Sequence, residues 1–347
     1  MLAGRARGIM VWTMLRLGYK ASAEQFGPGD LLRFAVFAER HGFDSVWTSD
    51  HYQPWRHTDG HAPNALVWLG AAAVRTERVI LGTSVLTPSF RYNPAVVAQA
   101  FATLGCLAPD RIVLGVGTGE SMNEVVAGIE WPDQKERFAR LKESVELIGR
   151  LFREELLTFQ GDFYHTHSAT LYDRPERPVP IYIAASGPAA ARLAGRVADG
   201  FICTSGKAPE LYTDSLIPAV AEGVAQAGRE AGDLEMTIEM KVSFDSDRAR
   251  AMEDTKIWAA LALPGEQKVG VEDPRELERL AKGVEDVAHR RWLVSDDPDE
   301  HVEQIRPYVE WGFRHLVFHF PGDDQERAIA RYAEHILPRL RARFGAA

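Results

Sequence analysis

The chain has 347 residues, 46% of them apolar and 26% charged, enough for a large core under a well-solvated surface and unlike a disordered segment. Its net charge is −9 and no lysine or arginine run breaks that balance, which argues against nucleic acid or an acidic membrane as partner. The only cysteines, Cys106 and Cys203, both lie in apolar segments and read as buried free thiols of a reducing cytoplasm.

Residues 1–14 set basic side chains before an apolar patch but lack a small-residue cleavage site. They are expected to form a loosely ordered extension, or upstream sequence translated from a start before Met14, ahead of a single domain over 15–347. No run approaches the ~20 apolar residues of a membrane helix. A first strand is expected over 15–19, then a helix over 29–41 with Leu31, Phe34, Ala35 and Ala38 at helical spacing. A second strand over 45–48 opens into the loop Ser49-Asp-His-Tyr-Gln-Pro-Trp55, followed by a helix over 64–75. The third strand covers 79–83, and the next helix starts at Pro94, a favourable first-turn residue.

A fourth strand over 112–116 precedes a helix over 134–152, and further strands follow over 181–184, 201–203, 236–243 and 316–320. The closing helix spans 325–344, with Pro338 expected to bend it. Gly42-Phe43, Gly200-Phe201 and Gly312-Phe313 each stand where a helix hands over to a buried strand, as repeating βα units require. Eight strands alternating with helices predict an α/β fold, a closed (β/α)8 barrel with right-handed crossovers. Residues 245–291 break the alternation and read as a polar helical insertion between strand seven and the last helix–strand units.

In such a barrel the active site lies at the carboxyl ends of the strands, where the loops converge. Glu24 follows strand one, Asp50, His51 and Trp55 strand two, Thr87 strand three, and Thr118, Gly119, Glu120 and Asn123 strand four. Ser186 and Gly187 follow strand five, and Thr204 with Lys207 strand six. Gly115-Val-Gly-Thr-Gly-Glu120 fails the dinucleotide fingerprint because Glu120 takes the third glycine's place; Gly115 and Gly117 fit barrel packing equally well. An Asp50–His51 dipeptide fits a structural pair or a base, and its strand-end position beside Trp55 favours a neutral imidazole that removes a proton from a hydroxyl. His57 and His61 lack partners at metal-ligand spacing, so no metal is expected. Taken alone, Lys207, Lys268 and Arg291 would be ordinary surface cations.

Gly18-Tyr-Lys-Ala-Ser-Ala-Glu-Gln-Phe26, Ser49-Asp-His-Tyr-Gln-Pro-Trp-Arg-His57, Leu81-Gly-Thr-Ser-Val-Leu-Thr-Pro88 and Leu114-Gly-Val-Gly-Thr-Gly-Glu120 closely resemble the F420-dependent glucose-6-phosphate dehydrogenases of the luciferase-like (β/α)8 superfamily. The likeness continues through Gly200-Phe-Ile-Cys-Thr-Ser-Gly-Lys207, Asp297-Pro-Asp-Glu300 and His315-Leu-Val-Phe-His319, covering nearly the whole chain from Leu15. It implies a cytoplasmic, homodimeric TIM-barrel oxidoreductase that transfers hydride from C1 of D-glucose 6-phosphate to C5 of oxidised coenzyme F420, a deazaflavin. By position, it implies that His51 takes the C1 hydroxyl proton, Trp55 holds the deazaflavin ring, Glu120 protonates or hydrogen-bonds it, and Glu24 positions substrate or moves the proton. It further implies cofactor contacts at Asp50, Ser84, Val85, Thr87, Thr118, Gly119, Asn123, Ser186, Gly187, Ala189 and Ala190, with a non-proline cis bond between Ser84 and Val85. Thr204, Lys207, Lys268 and Arg291 match its sugar-phosphate site, three cations against a dianion.

Two positions depart from the family pattern. Ser186 replaces a usual glycine near the cofactor phosphate, and residues 262–288 differ in sequence and length. The alternatives are an F420 enzyme for other sugar 6-phosphates such as fructose or mannose 6-phosphate, one for a secondary alcohol, a flavin monooxygenase, and a non-catalytic binder of deazaflavin or sugar phosphate. A base and an acid retained together disfavour the last, and three cations disfavour an unphosphorylated alcohol.

Overall fold

The computed structural model describes residues 14–345, so all of the expected extension except Met14 lies outside the described residues. The strands in chain order are β1 (Arg16–Ala21), β2 (Ser45–Thr48), β3 (Ile80–Thr83), β4 (Ile112–Val116), β5 (Leu157–Gln160), β6 (His165–Ala169), β7 (Ile181–Ala184), β8 (Gly200–Thr204), β9 (Glu235–Phe244), β10 (Leu293–Ser295) and β11 (His315–His319). Nine strands form one sheet in the order β10-β9-β11-β1-β2-β3-β4-β7-β8, and β8 pairs back onto β9. Leaving out β10 at the edge, eight strands close the ring, and every pairing around it is parallel. The expected (β/α)8 barrel is the fold.

The surrounding helices are α1 (Pro28–Arg40), α2 (Ala65–Arg75), α3 (Pro94–Leu107), the short α4 (Ser121–Glu124), α5 (Gln134–Leu151), α6 (Pro188–Val197) and α7 (Ile217–Gln226). After β9 come α8 (Arg248–Asp254), α9 (Pro274–Ala281), α10 (Pro298–Glu310), α11 (Gln325–Arg331) and α12 (Leu337–Phe344). Local sequence starts several of them. Asn64, Asn93, Asp133 and Asp297 accept hydrogen bonds from first-turn N–H groups, and proline opens α1, α3, α6 and α10. Among the described residues no helix is long and apolar enough to cross a membrane.

Inside the ring, Trp47, Val113, Tyr182, Ile202 and Val317 plug the barrel. At its amino-terminal end lies a polar floor built from the first residues of strands. His315 Nε2 is 2.6 Å from Ser45 Oγ and Nδ1 is 3.2 Å from Glu235 Oε2, while Arg16 Nη1 donates to Glu235 Oε1 at 2.9 Å. Serine, histidine and glutamate stand here as they do in a nucleophilic triad, but Ser45 and His315 are fully buried, so the network holds strands together. Gly115 belongs to barrel packing, since a Cβ there would lie 1.9 Å from the Thr83 carbonyl oxygen.

The insertion between β9 and β10 is helical as expected, running through α8, α9 and tight 3₁₀ turns at Thr255–Ala262, Gly265–Gln267 and Lys282–Arg291. Several expectations need correction. Cys106 is exposed on α3, and only Cys203 is buried. Gly42 and Gly312 end helices at φ +83° and +99°, whereas Gly200 lies within β8, where the close Tyr182 ring leaves no room for a Cβ. The closing helix is interrupted by a π turn at Tyr332–Ile336, one turn ahead of Pro338. The antiparallel hairpin β5–β6, strand β10 and helix α4 went unseen, because each is short and β6 carries no apolar alternation.

Candidate active site

A cavity of about 420 Å³ opens over the carboxyl ends of the barrel strands. All four proposed catalytic residues line it, His51, Trp55, Glu24 and Glu120. So do Asp50, Ser84, Val85, Thr87, Thr118, Gly119, Asn123, Ser186, Thr204, Lys207, Lys268 and Arg291. Gly187, Ala189 and Ala190 do not reach its wall. Gly187 caps α6, whose first turn carries the other two just beyond Ser186.

His51 stands between two carboxylates. Its Nε2 lies 3.3 Å from Glu24 Oε1 and 3.6 Å from Glu120 Oε2, and its ring is tilted 45° to Trp55 at 6.0 Å between centroids. On the other edge, Nδ1 lies 3.2 Å from the Gln53 carbonyl oxygen and 3.4 Å from the Asn123 side-chain amide nitrogen, while Nε2 faces the cavity and the two carboxylates. Asn123 fixes the same loop, its Oδ1 accepting from the Tyr52 and Gln53 N–H groups at 2.8 and 3.3 Å. Burial alone would raise the Glu24 pKa. His51, Lys20 and the Ser49 hydroxyl, which donates to Glu24 Oε2 at 2.6 Å, together hold it below the ordinary glutamate value.

Asp50 touches the cavity but is already engaged. Arg91 Nη2 donates to Asp50 Oδ2 at 2.5 Å and Tyr92 Oη to Oδ1 at 3.1 Å, while Arg91 Nη1 binds Glu124 Oε1 at 2.6 Å. The arginine thereby ties the β2 loop to α4. The bond between Ser84 and Val85 is cis, as the resemblance implied, and Ser84 and Val85 line the cavity. Gly119 turns at φ +80° against Thr87, so the backbone there presents a surface without a side chain.

Lys207, Lys268 and Arg291 converge on one part of the cavity. Burial lowers each pKa; Arg291 and Lys268 lower Lys207 further, and Arg291 lowers Lys268 further. Arg291 Nε is buried with no hydrogen-bond partner among the described residues, and Lys268 Nζ lies over Trp55, 6.0 Å from its ring centre. Three like charges held together in this way form a preformed seat for an anion.

Sequence reading missed a layer of buried charge beneath these groups. Lys20 Nζ lies 3.1 Å from Glu239 Oε2 and donates to the Ser84 carbonyl at 2.6 Å; Lys241 and His319 stand nearby, and Trp258 and Leu261 of the insertion complete the wall. The one signal was polar residues alternating within apolar strands: Glu239 and Lys241 share a face of β9, and Lys241 pairs with His319 on β11. Among the described residues, no cluster of histidine, cysteine, aspartate or glutamate is arranged to hold a metal ion.

The family model described as luciferase-like monooxygenase matches residues 9–315. An F420-dependent glucose-6-phosphate dehydrogenase of Nakamurella multipartita is 67% identical over 95% of this chain and 98% of its own length. Another of that description, from Beutenbergia cavernae, is 66% identical with the same coverage. A solved F420-dependent secondary alcohol dehydrogenase in complex with an F420–acetone adduct superposes with a TM-score of 0.87 at 36% identity, covering 93% of this chain and 98% of that one. Its barrel, its match to the family model and relatives two-thirds identical over almost their full length place the chain in the luciferase-like family, among the F420-dependent glucose-6-phosphate dehydrogenases.

Proposed function

We propose that the protein oxidises D-glucose 6-phosphate to 6-phosphogluconolactone with oxidised coenzyme F420 as hydride acceptor. The observation that carries this reading is the convergence of Lys207, Lys268 and Arg291 in the cavity that also holds His51 between Glu24 and Glu120. A phosphate dianion would relieve the mutual repulsion of the three cations and give Arg291 Nε a partner. A secondary alcohol without phosphate would leave all three unused.

The cavity also suits a flat ring. Gly119 offers bare backbone, Val85 an apolar side chain and Trp55 an indole face. Bound there, F420 supplies the electrophilic carbon that accepts the hydride. His51 Nε2 takes the C1 hydroxyl proton as C1 gives up its hydride and the C1 oxygen becomes the lactone carbonyl. Glu24, held ionised by its neighbours, stabilises the imidazolium that forms, and Glu120 provides a second carboxyl beside it for the proton's onward transfer. Ser84, Thr87, Thr118, Asn123 and Ser186 supply polar contacts to the cofactor, and Thr204 a hydroxyl to the phosphate.

We also propose a homodimer. Val67 and Val74 on α2 and Val96 and Leu107 on α3 leave four large apolar side chains exposed on neighbouring helices. A cytoplasmic setting accords with the two unpaired cysteines. The function is tested by following loss of oxidised F420 absorbance against a panel of sugar 6-phosphates. Glucose 6-phosphate is expected to support turnover, and loss with no sugar phosphate would refute the reading.

A further inference from the structure

We propose that Glu239, Lys241 and His319 form a subsite that reads a secondary hydroxyl of the substrate, on the carbon chain between the reacting carbon and the phosphate. This rests on the sugar-phosphate reading above. The three groups occupy the intervening ground. Lys20 acts on Glu24 at one side and on Glu239 at the other, while Lys241 acts on Glu239 and feels Lys207 and Arg291. The cluster therefore links the proton-removing end of the cavity to the cationic end, where C2 to C4 of a hexose 6-phosphate must lie.

Its unmade hydrogen bonds match the donor and acceptors of one hydroxyl. Glu239 Oε2 is taken, by Lys20 at 3.1 Å and by the Ser84 hydroxyl at 3.1 Å. Glu239 Oε1 has only long contacts, 3.6 Å to His319 Nδ1 and 3.7 Å to Lys241 Nζ. Among the described residues, neither ring nitrogen of His319 has a hydrogen-bond partner, although the residue is 3% exposed and lines the cavity. Its ring is boxed edge-on by Trp258 at 4.5 Å and Trp292 at 5.0 Å, so it cannot swing away to find one. A neutral imidazole offers one donor and one acceptor, and leaving both unmade in a buried position is unfavourable. A hydroxyl both donates and accepts. Placed here it would donate to Glu239 Oε1 and accept, one on each lone pair, from Lys241 Nζ and a His319 ring N–H, giving each of the three a partner. Sites built to bond a substrate hydroxyl reject analogues that lack it far more strongly than apolar pockets reject a missing methylene.

The test compares glucose 6-phosphate with its 2-deoxy, 3-deoxy and 4-deoxy analogues, using wild-type enzyme and the His319→Phe and Lys241→Met variants with F420 in excess. Wild type is expected to lose about 10-fold or more in kcat/KM on at least one analogue. Each variant should lose about 10- to 100-fold on glucose 6-phosphate, and within about 2-fold nothing further on that same analogue. Stabilisation of the His319→Phe variant by inorganic phosphate should match wild type, which shows a folded protein with an intact phosphate seat. Equal losses on every substrate, or wild type indifferent to all three deletions, would overturn the subsite while leaving the glucose 6-phosphate reading in place. Absence of wild-type turnover with glucose 6-phosphate would instead remove that reading, and the subsite with it.

Discussion

At the scale of the residue, the proposed chemistry divides between His51 and the three cations. His51→Ala is expected to lower kcat by about 10²- to 10⁴-fold with little change in phosphate affinity, because it removes a proton acceptor and leaves the anion seat intact. Full turnover in steady-state assays would contradict its role as base. Arg291→Ala should raise KM for glucose 6-phosphate by about 10- to 100-fold and abolish thermal stabilisation by inorganic phosphate, with kcat moving less. Lys207 and Lys268 have pKa values below the ordinary lysine value through burial and neighbouring positive charge. A bound dianion favours their charged forms, so affinity is greatest below the lowered values and falls as pH rises through them. A plot of 1/KM against pH should decline on the alkaline side, and Lys268→Arg should shift the decline to higher pH because guanidinium does not titrate there. His51, Trp55, Glu24 and Glu120 were legible in the sequence because they sit in polar loops immediately after apolar strands. Glu239, Lys241 and His319 were not, because they lie inside strands whose other residues read as buried core, and a single charge there does not disclose which way it points; Lys20 was expected just past a strand that in fact runs on to Ala21.

At the scale of the element, the strands carry both the site and the floor beneath it. His315→Ala would leave Ser45 and Glu235 without a shared partner in a fully buried network. It is expected to cost about 2 to 4 kcal/mol in urea unfolding, with kcat/KM per folded molecule retained because the floor lies at the end of the barrel opposite the cavity. The insertion is anchored where it leaves β9. Asp245 accepts from Arg327 at 2.7 and 3.0 Å and lies 3.4 Å from Arg331. Burial pulls its pKa up, but the two arginines and the Asp247 N–H bring it down to about 2. Its folded value is depressed, so this stabilisation is present above the unfolded value near 4 and is lost as pH falls toward 2. Asp245→Asn should therefore cost about 1 to 2 kcal/mol at pH 7 and almost nothing at pH 2, by thermal unfolding. The ring strands could be read because parallel barrel strands are buried on both faces and appear as short apolar runs bounded by glycine. The hairpin β5–β6 lacks that signature, since β6 is His165-Thr-His-Ser-Ala169 and packs little of itself inside.

At the scale of the whole molecule, a barrel closed by eight parallel strands fixes the loop ends relative to one another, while the insertion after β9 brings Trp258, Lys268 and Arg291 over the mouth. The sequence predicted the barrel and the helical insertion, but could not say that the insertion lines the cavity at the barrel mouth. That depends on a fold-back of tight turns with no periodic signature. If α2 and α3 form the dimer face, light scattering should give twice the 38.6 kDa of one chain, and Val67→Glu combined with Val96→Glu should halve that mass. The central claim is that the cation seat selects a phosphorylated sugar for hydride transfer to F420. Its most direct test is turnover of glucose 6-phosphate and of propan-2-ol, side by side, by wild-type enzyme supplied with oxidised F420. Rapid loss of the oxidised absorbance with glucose 6-phosphate and none with propan-2-ol is the predicted result. Turnover of the alcohol with no response to the sugar phosphate would contradict it.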